Sequence, residues 1–122
     1  MKRSLVLTAV MLTAMLAVVP SVRAGEPKVF VVNEISVTDS GKYKTYADQV
    51  PATLVPFGGS FVVRGGNPEA LDGKIPGDRI VLVAFPNRAA AKAWHDSAAY
   101  QKILTIRDSA STSTVYIVDS LQ

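Results

Sequence analysis

The segment Ile80–Phe85 reads Ile-Val-Leu-Val-Ala-Phe and carries an apolar side chain at every position. Successive side chains of a β-strand point to opposite faces of the sheet, so this strand presents apolar side chains to both faces. The chain has 122 residues, and its two predicted helical segments are enough to cover one face. We expect a second copy of the chain to cover the other face. The sequence therefore predicts a β-sheet homodimer with an enclosed interior.

The N-terminal segment has the pattern of a secretory signal. Lys2 and Arg3 precede an apolar run over residues 5–19, and a small-residue pattern ends at Ala24. This run is short of the roughly 20 residues that a membrane-spanning helix needs. We therefore predict a signal peptide over residues 1–24, a periplasmic or secreted mature protein, and no stable membrane insertion after cleavage.

The mature chain, residues 25–122, is expected to form a single domain. It has ten basic and ten acidic residues, because Lys2, Arg3 and Arg23 belong to the signal segment. Nucleic-acid binding needs a dense positive field, which this balance excludes. The chain has no Cys and one His, so disulfides and Cys/His zinc sites are excluded. We predict neither a metal nor a cofactor.

The order of the predicted elements defines an α+β fold. β-branched and apolar runs predict four strands, and helical spacing with high Ala content predicts two helices. Asp39 and Ser40 are the N-cap candidates for the first helix, and Pro86 and Asn87 end the apolar strand and open the second helix. Gly58 and Gly59 allow the chain to leave the first helix. The order βαββαβ predicts a four-stranded antiparallel sheet with two helices on one face. The predicted strands are Val29–Val37, Ser60–Arg64, Ile80–Phe85 and Thr114–Val118, and the predicted helices span about 42–54 and 88–107.

Polar residues in the apolar strands are the first candidates for ligand binding. Asn33 and Glu34 are neighbours in the first strand, so they lie on opposite faces and at most one of them lines a given cavity. Arg64 ends the second strand, where its cation can bind an anionic ligand, pair with Glu34 or Asp78, or remain in solvent. We select Arg64 and Asn33 as ligand-binding candidates.

The second helix contributes the remaining candidates. Trp94 is predicted either to pack in the core or dimer interface or to form a cavity wall, and we include it among the ligand-binding candidates. His95 is a weak catalytic candidate, since it can act as a general base, bind haem or lie at the surface without a role. Tyr100 is a second weak catalytic candidate and shares one helical face with Arg107, where a structural hydrogen bond is the alternative use.

The chain contains no recognisable motif for nucleophilic catalysis, phosphate binding or a paired-carboxylate mechanism. An enzyme built on this sequence would have to act through cavity shape and one or two polar groups. The catalytic residues are therefore unknown.

Several motifs spaced along the mature chain together resemble one family. In chain order, they are Tyr43 and Tyr46 in the first helix, Pro56-Phe57-Gly58-Gly59, Val63-Arg64-Gly65-Gly66, Ala84-Phe85-Pro86, and Ala93-Trp94 with Ser97, Tyr100 and Arg107. This pattern resembles the family called domain of unknown function 1330, in the ferredoxin-like dimeric α+β barrel superfamily. The chain departs from the pattern at His95, where an aromatic residue is expected, and at Ser120, where Gly usually follows the Asp.

The resemblance implies a ferredoxin-like fold and a homodimer whose two sheets form a dimeric α+β barrel. Relatives in the superfamily include cofactor-independent monooxygenases, lactone isomerases and haem-handling enzymes. We therefore expect an exported homodimer that binds a small organic molecule in an apolar cavity between sheet and helices. Two alternatives stay open: a cofactor-independent isomerase or monooxygenase-like enzyme, and a non-catalytic dimeric interaction protein with a filled interior.

Overall fold

The computed structural model describes residues 28–121 of the chain. The predicted signal peptide lies outside these residues. Within them, no helix is long and apolar enough to cross a membrane. A short 3₁₀ turn, Val55–Phe57, follows the first helix. The elements are β1 (Val29–Val37), α1 (Ser40–Leu54), β2 (Ser60–Gly65), β3 (Arg79–Phe85), α2 (Arg88–Asp96), α3 (Ala98–Ala110) and β4 (Ser111–Asp119).

The four strands form one antiparallel sheet in the order β2-β3-β1-β4. This arrangement confirms the predicted α+β fold and its ferredoxin-like element order. Strand β3, which is apolar from Ile80 to Phe85, lies between β2 and β1, where both of its backbone edges are paired. Its interior position in the sheet agrees with this apolar run.

The two faces of the sheet differ in burial. Alternating residues of β1 and β3, such as Val31 and Val83, are buried against the helices. The residues between them, such as Val32 and Leu82, are only half-buried. Asn33 and Glu34 lie on opposite faces as predicted, with Asn33 on the helix side. We call the side away from the helices the open face; its side chains include Phe30, Val32, Glu34, Ile80, Leu82, Tyr116 and Val118.

The second helix differs from the prediction because it is divided in two. Ser97 has φ −63° and ψ 145°, which is extended backbone, and it separates α2 from α3. Its hydroxyl donates to the Trp94 carbonyl at 2.7 Å and accepts from the Tyr100 amide at 3.3 Å. Ser97 therefore ends one helix and caps the next. The prediction of one continuous helix to Arg107 was wrong, and α3 extends to Ala110.

The other helix boundaries follow their capping residues. The Asp39 carboxylate accepts from the Lys42 amide at 3.0 Å, and the Asn87 side chain accepts from the Ala90 amide at 2.8 Å. Of the two predicted candidates for the first cap, Asp39 is the cap and Ser40 is the first residue of α1, and Asn87 opens α2 as predicted. These contacts satisfy amide groups that have no partner within the first turn of a helix.

Candidate functional site

A cleft lies between α1 and the part of the sheet formed by β1, β2 and β3. We call it the α1 cleft. Its walls are mainly apolar and aromatic, with three polar side chains among them: Asn33, Arg64 and Arg79. Trp94 closes its inner end. The other lining side chains include Tyr43, Tyr46, Val50, Phe61, Val81 and Val83.

The α1 cleft has a narrow inner part and a wide mouth. The inner part encloses about 20 Å³, which is room for about one water molecule. The mouth is a surface groove of about 540 Å³. Tyr43, Ala47, Arg64 and Arg79 line both parts, so the two are continuous. The cleft as it stands accepts only a slender group at its inner end.

Arg64 lies at the boundary between the inner cleft and the mouth. It pairs with Val81 of β3 and projects toward α1, where its Nη2 donates to the Ala47 carbonyl at 2.7 Å. Its guanidinium also lies 4.5 Å from the centre of the Phe61 ring. These contacts fix the side chain toward the cleft. The predicted alternatives of pairing with Glu34 or Asp78 are not formed.

Arg79 is a second cation of the cleft, and the sequence reasoning missed it. It begins β3 and lies two residues from Val81 on the same face. Its guanidinium lies 5.1 Å from the centre of the Tyr43 ring, and its buried Nε has no hydrogen-bond partner among the described residues. A buried N–H without an acceptor is costly, so the neighbouring Nη groups of Arg79 are the ones available to a ligand in the cleft.

Within residues 28–121, these two arginines differ from the others in having no carboxylate nearby. Arg88 lies 3.1 Å from Asp119, and Arg107 lies 3.3 Å from Asp108. Neither Arg64 nor Arg79 has a carboxylate within 4.0 Å.

The acidic residues at the mouth are already engaged. Asp48 is paired with Lys44 at 2.6 Å, and Asp78 accepts from the Val37 amide at 3.3 Å. The mouth therefore contains two guanidinium groups whose charges no carboxylate of the described chain balances directly. Guanidinium groups are well suited to bind carboxylates and phosphates.

Asn33 supplies a polar group deep in the cleft. Its residue is 4% exposed, and its Nδ2 donates to the Val81 carbonyl at 3.1 Å and weakly to the Val31 carbonyl at 3.5 Å. Because both neighbours are acceptors, the amide nitrogen must face them and the oxygen must face away. The structure thus brings Asn33, Arg64 and Trp94, the three residues predicted to bind a ligand, to one cleft.

Trp94 forms the inner wall of the cleft and is 1% exposed. Its Nε1 donates to the Thr53 hydroxyl at 3.0 Å, and that hydroxyl donates to the Val50 carbonyl at 2.7 Å. Its ring packs against Tyr100, with ring centres 4.0 Å apart, and against Phe85 at 5.3 Å. This packing fixes the ring and fills the interior behind it with aromatic side chains.

His95 lies on the other side of Trp94, outside the α1 cleft. It lines a second groove of about 200 Å³ together with Lys92, Asp96 and Tyr116. Its Nδ1 lies 3.5 Å from an Asp96 oxygen. The structure therefore does not bring His95 together with Asn33 and Arg64, and no other His exists in the chain.

Tyr100 belongs to a buried hydrogen-bond chain. Its hydroxyl lies 2.8 Å from the Tyr46 hydroxyl and accepts from Arg107 Nη1 at 3.1 Å. Burial raises the pKa of both tyrosines above the ordinary value, and for Tyr100 this outweighs the lowering effect of Arg107. Both hydroxyls stay protonated at neutral pH, so neither is suited to act as a general base. Tyr100 lines neither groove and serves the core.

Comparison with solved structures shows the same fold in several proteins. A protein of unknown function from Rhodopseudomonas palustris aligns with a TM-score of 0.68 and 17% identity, covering 80% of this chain and 85% of its own. SnoaB, a cofactor-independent oxygenase from Streptomyces nogalater, aligns with a TM-score of 0.58 and 16% identity, covering 79% and 95%. A putative antibiotic biosynthesis monooxygenase from Nitrosomonas europaea gives a TM-score of 0.50 at 18% identity, covering 80% and 92%. At these identities the likeness shows the fold alone.

Sequence comparison identifies the family. No curated protein matches the chain. The sequence profile described as domain of unknown function (DUF1330) matches residues 28–121 of the 122-residue chain. The chain therefore belongs to the DUF1330 family, as the motifs around Arg64 and Trp94 predicted.

Proposed function

We propose that this protein is an exported homodimer that binds small organic carboxylates in the α1 cleft. The observation that carries the proposal is the pair Arg64 and Arg79 at a mainly apolar cleft, neither with a carboxylate within 4.0 Å among the described residues. Arg79 strengthens it, because this residue lines both the inner part and the mouth of the cleft. In this role the two guanidinium groups hold the carboxylate, and the apolar walls hold the carbon chain.

The dimensions of the cleft limit the ligand to a small one. An inner space of about 20 Å³ accepts the end of an unbranched chain, whereas the mouth of about 540 Å³ accepts the charged group. We therefore place the carboxylate at the mouth beside the arginines and the slender end toward Asn33. An aromatic ring would require Tyr43 or Phe61 to move.

The homodimer is proposed from the open face of the sheet. Val32 and Leu82 are directly paired across β1 and β3 and are half-buried in the single chain, and Val118 is 37% exposed. A second sheet packed on this face would remove these side chains from water, at about 25 cal/mol for each Å² of apolar surface. The α1 cleft lies on the opposite side, so dimerisation leaves its mouth open.

Export is proposed from the signal pattern over residues 1–24 alone. A test is mass spectrometry of the protein recovered from the host's extracytoplasmic fraction. We expect a mature N-terminus at Gly25, and an intact Met1 in the cytoplasmic fraction would contradict export.

A cofactor-independent isomerase or oxygenase is the second candidate. It is supported by the fold shared with SnoaB. Such an enzyme needs a group that accepts a proton, and His95 would have to act from the second groove, where Trp94 separates it from the α1 cleft. Turnover lost in His95→Ala would favour this candidate over simple binding.

The third candidate is an interaction protein without a ligand. The aromatic side chains of Phe85, Trp94 and Tyr100 fill the interior, which is the feature this candidate requires. It does not account for the cleft in front of Trp94 or for its two unpaired arginines. Absence of any carboxylate binding would favour it.

The test of the proposed function is a binding titration with butyrate, followed by NMR or calorimetry. Arg64→Ala and Arg79→Ala are compared with Arg88→Ala, a control that removes one equal charge from an arginine paired elsewhere with Asp119. Hydrogen bonds to charged groups contribute about 1.5–3 kcal/mol, so we expect each cleft variant to weaken binding by about tenfold or more. Equal affinity in all three variants would contradict the proposal, as would failure of the unmodified protein to bind butyrate.

A further inference from the structure

The Asn33 side chain leaves one hydrogen-bond acceptor in the inner cleft. Its amide nitrogen is held by the Val81 carbonyl, and the residue is 4% exposed. Its Oδ1 has no hydrogen-bond donor among the described residues. A carbonyl oxygen that lines an apolar cleft gains free energy when it receives a donor, and it disfavours an apolar group placed against it.

The sheet register places this acceptor opposite the arginines. Asn33 and Arg64 both pair with Val81, one from β1 and the other from β2. All three point to the helix side of the sheet. Neighbouring strands are about 4.8 Å apart, so the Cα atoms of Asn33 and Arg64 are separated by roughly 10 Å. The long Arg64 side chain reaches toward α1, where its Nη2 donates to the Ala47 carbonyl at 2.7 Å.

We propose that the α1 cleft selects carboxylates that carry a hydroxyl group at the far end of a short, unbranched chain, and that Asn33 is the residue that determines this preference. The inference rests on the proposed function, since Arg64 and Arg79 must first hold the carboxylate. The hydroxyl donates to Asn33 Oδ1 in the inner space of about 20 Å³, which has the size of a single water site.

The chemistry separates this ligand class from its near relatives. A terminal methyl group has the right size but leaves the Asn33 oxygen without a donor. A terminal ether or ketone has an oxygen but no proton to donate, so it faces Oδ1 acceptor to acceptor. Of these groups, the hydroxyl group is the one that satisfies both the size and the hydrogen-bond requirement. A site built for a hydroxyl group rejects analogues that lack it more strongly than an apolar pocket rejects small changes of size.

The experiment measures the dissociation constants of 4-hydroxybutyrate, butyrate and 4-methoxybutyrate with the unmodified full-length mature protein. All three ligands present the same carboxylate to the arginines. We expect 4-hydroxybutyrate to bind about tenfold more tightly than butyrate, in line with one buried hydrogen bond. In Asn33→Leu, which has a side chain of similar size, the preference is expected to disappear or reverse while butyrate still binds.

The outcomes distinguish this inference from the proposed function. Equal binding of 4-hydroxybutyrate and butyrate by the unmodified protein overturns the role of Asn33 and leaves carboxylate binding intact. Tighter binding of 4-methoxybutyrate than of 4-hydroxybutyrate also overturns it. If none of the three ligands binds, the proposed function itself fails. Since the first comparison uses the unmodified protein, the test does not depend on the folding of Asn33→Leu.

Discussion

Replacing Tyr100 by Phe tests the buried hydrogen-bond chain that anchors α3 to α1. The change keeps the ring, which packs 4.0 Å from the centre of the Trp94 ring, and removes only the hydroxyl. That hydroxyl is the middle member of the chain. It contacts Tyr46 at 2.8 Å and accepts from Arg107 Nη1 at 3.1 Å.

The expected magnitude follows from the two bonds lost. A neutral hydrogen bond contributes about 0.5–1.5 kcal/mol and one to a charged group about 1.5–3 kcal/mol, so Tyr100→Phe should lower the free energy of unfolding by about 3 kcal/mol. Arg107 is 7% exposed and its Nε already has no partner, so the guanidinium would keep only its contact with Asp108. Tyr46→Phe removes the neutral bond alone and should cost about 1 kcal/mol.

The assay is denaturation in urea followed by far-ultraviolet circular dichroism, with all variants at one fixed protein concentration because the stability of the proposed dimer would depend on concentration. Fluorescence is unsuitable here, since the Trp94 ring touches the mutated side chain. A cost for Tyr100→Phe no greater than that for Tyr46→Phe would refute the central role of the Tyr100 hydroxyl.

Three further predictions concern pH, a glycine and the dimer. Burial raises the pKa of Tyr46 and Tyr100, so the unfolded chain loses these protons first, near pH 10. The free energy of unfolding should therefore be constant up to about pH 9 and fall above it, less steeply in Tyr46→Phe. An unchanged slope in that variant would contradict this assignment. Gly77→Ala should lower the free energy of unfolding by about 1–3 kcal/mol, because a Cβ there would lie 2.6 Å from the Ile35 carbonyl oxygen. The control Gly41→Ala, whose nearest contact would be 3.7 Å, should lose no stability in the same thermal unfolding scan. Leu82→Glu, on the open face, should give a monomer by light scattering, whereas Thr105→Glu, on the exposed side of α3, should not. A persistent Leu82→Glu dimer would show that another surface forms the interface.

The fold was predictable because its signals are local and repeated. The continuous apolar run of β3 and the alternation in β1 indicate central strands, and the positions of Asp39 and Asn87 indicate where helices begin. The break at Ser97 was missed because the surrounding alanines favour a continuous helix. The signal for this break is Ser97 itself, a residue type whose hydroxyl can cap the amide three residues later. Serine also occurs inside helices, so the signal does not by itself identify a helix end.

The candidate site was predictable only in part. Arg64 and Asn33 were found because each is polar in an apolar strand, and Trp94 because of its size. Arg79 was missed because it was placed just before the predicted strand, whereas the register puts it on the cleft face two residues from Val81. His95 was grouped with Trp94 because the two residues are adjacent in sequence. Adjacent residues of a helix point in different directions, however. Trp94 therefore lines both the α1 cleft and the second groove, whereas His95 lines only the second groove.

The most direct test of carboxylate binding in the α1 cleft is an NMR titration of the protein with butyrate that follows the arginine Nε–H and tryptophan Nε1–H resonances. We expect the Arg64 and Arg79 signals to shift with one common dissociation constant, with a smaller shift at Trp94, while Arg88, paired with Asp119, stays unchanged. Shifts of equal size at all arginines would indicate a non-specific charge effect. Shifts confined to residues around His95 would place the ligand in the second groove and contradict the account.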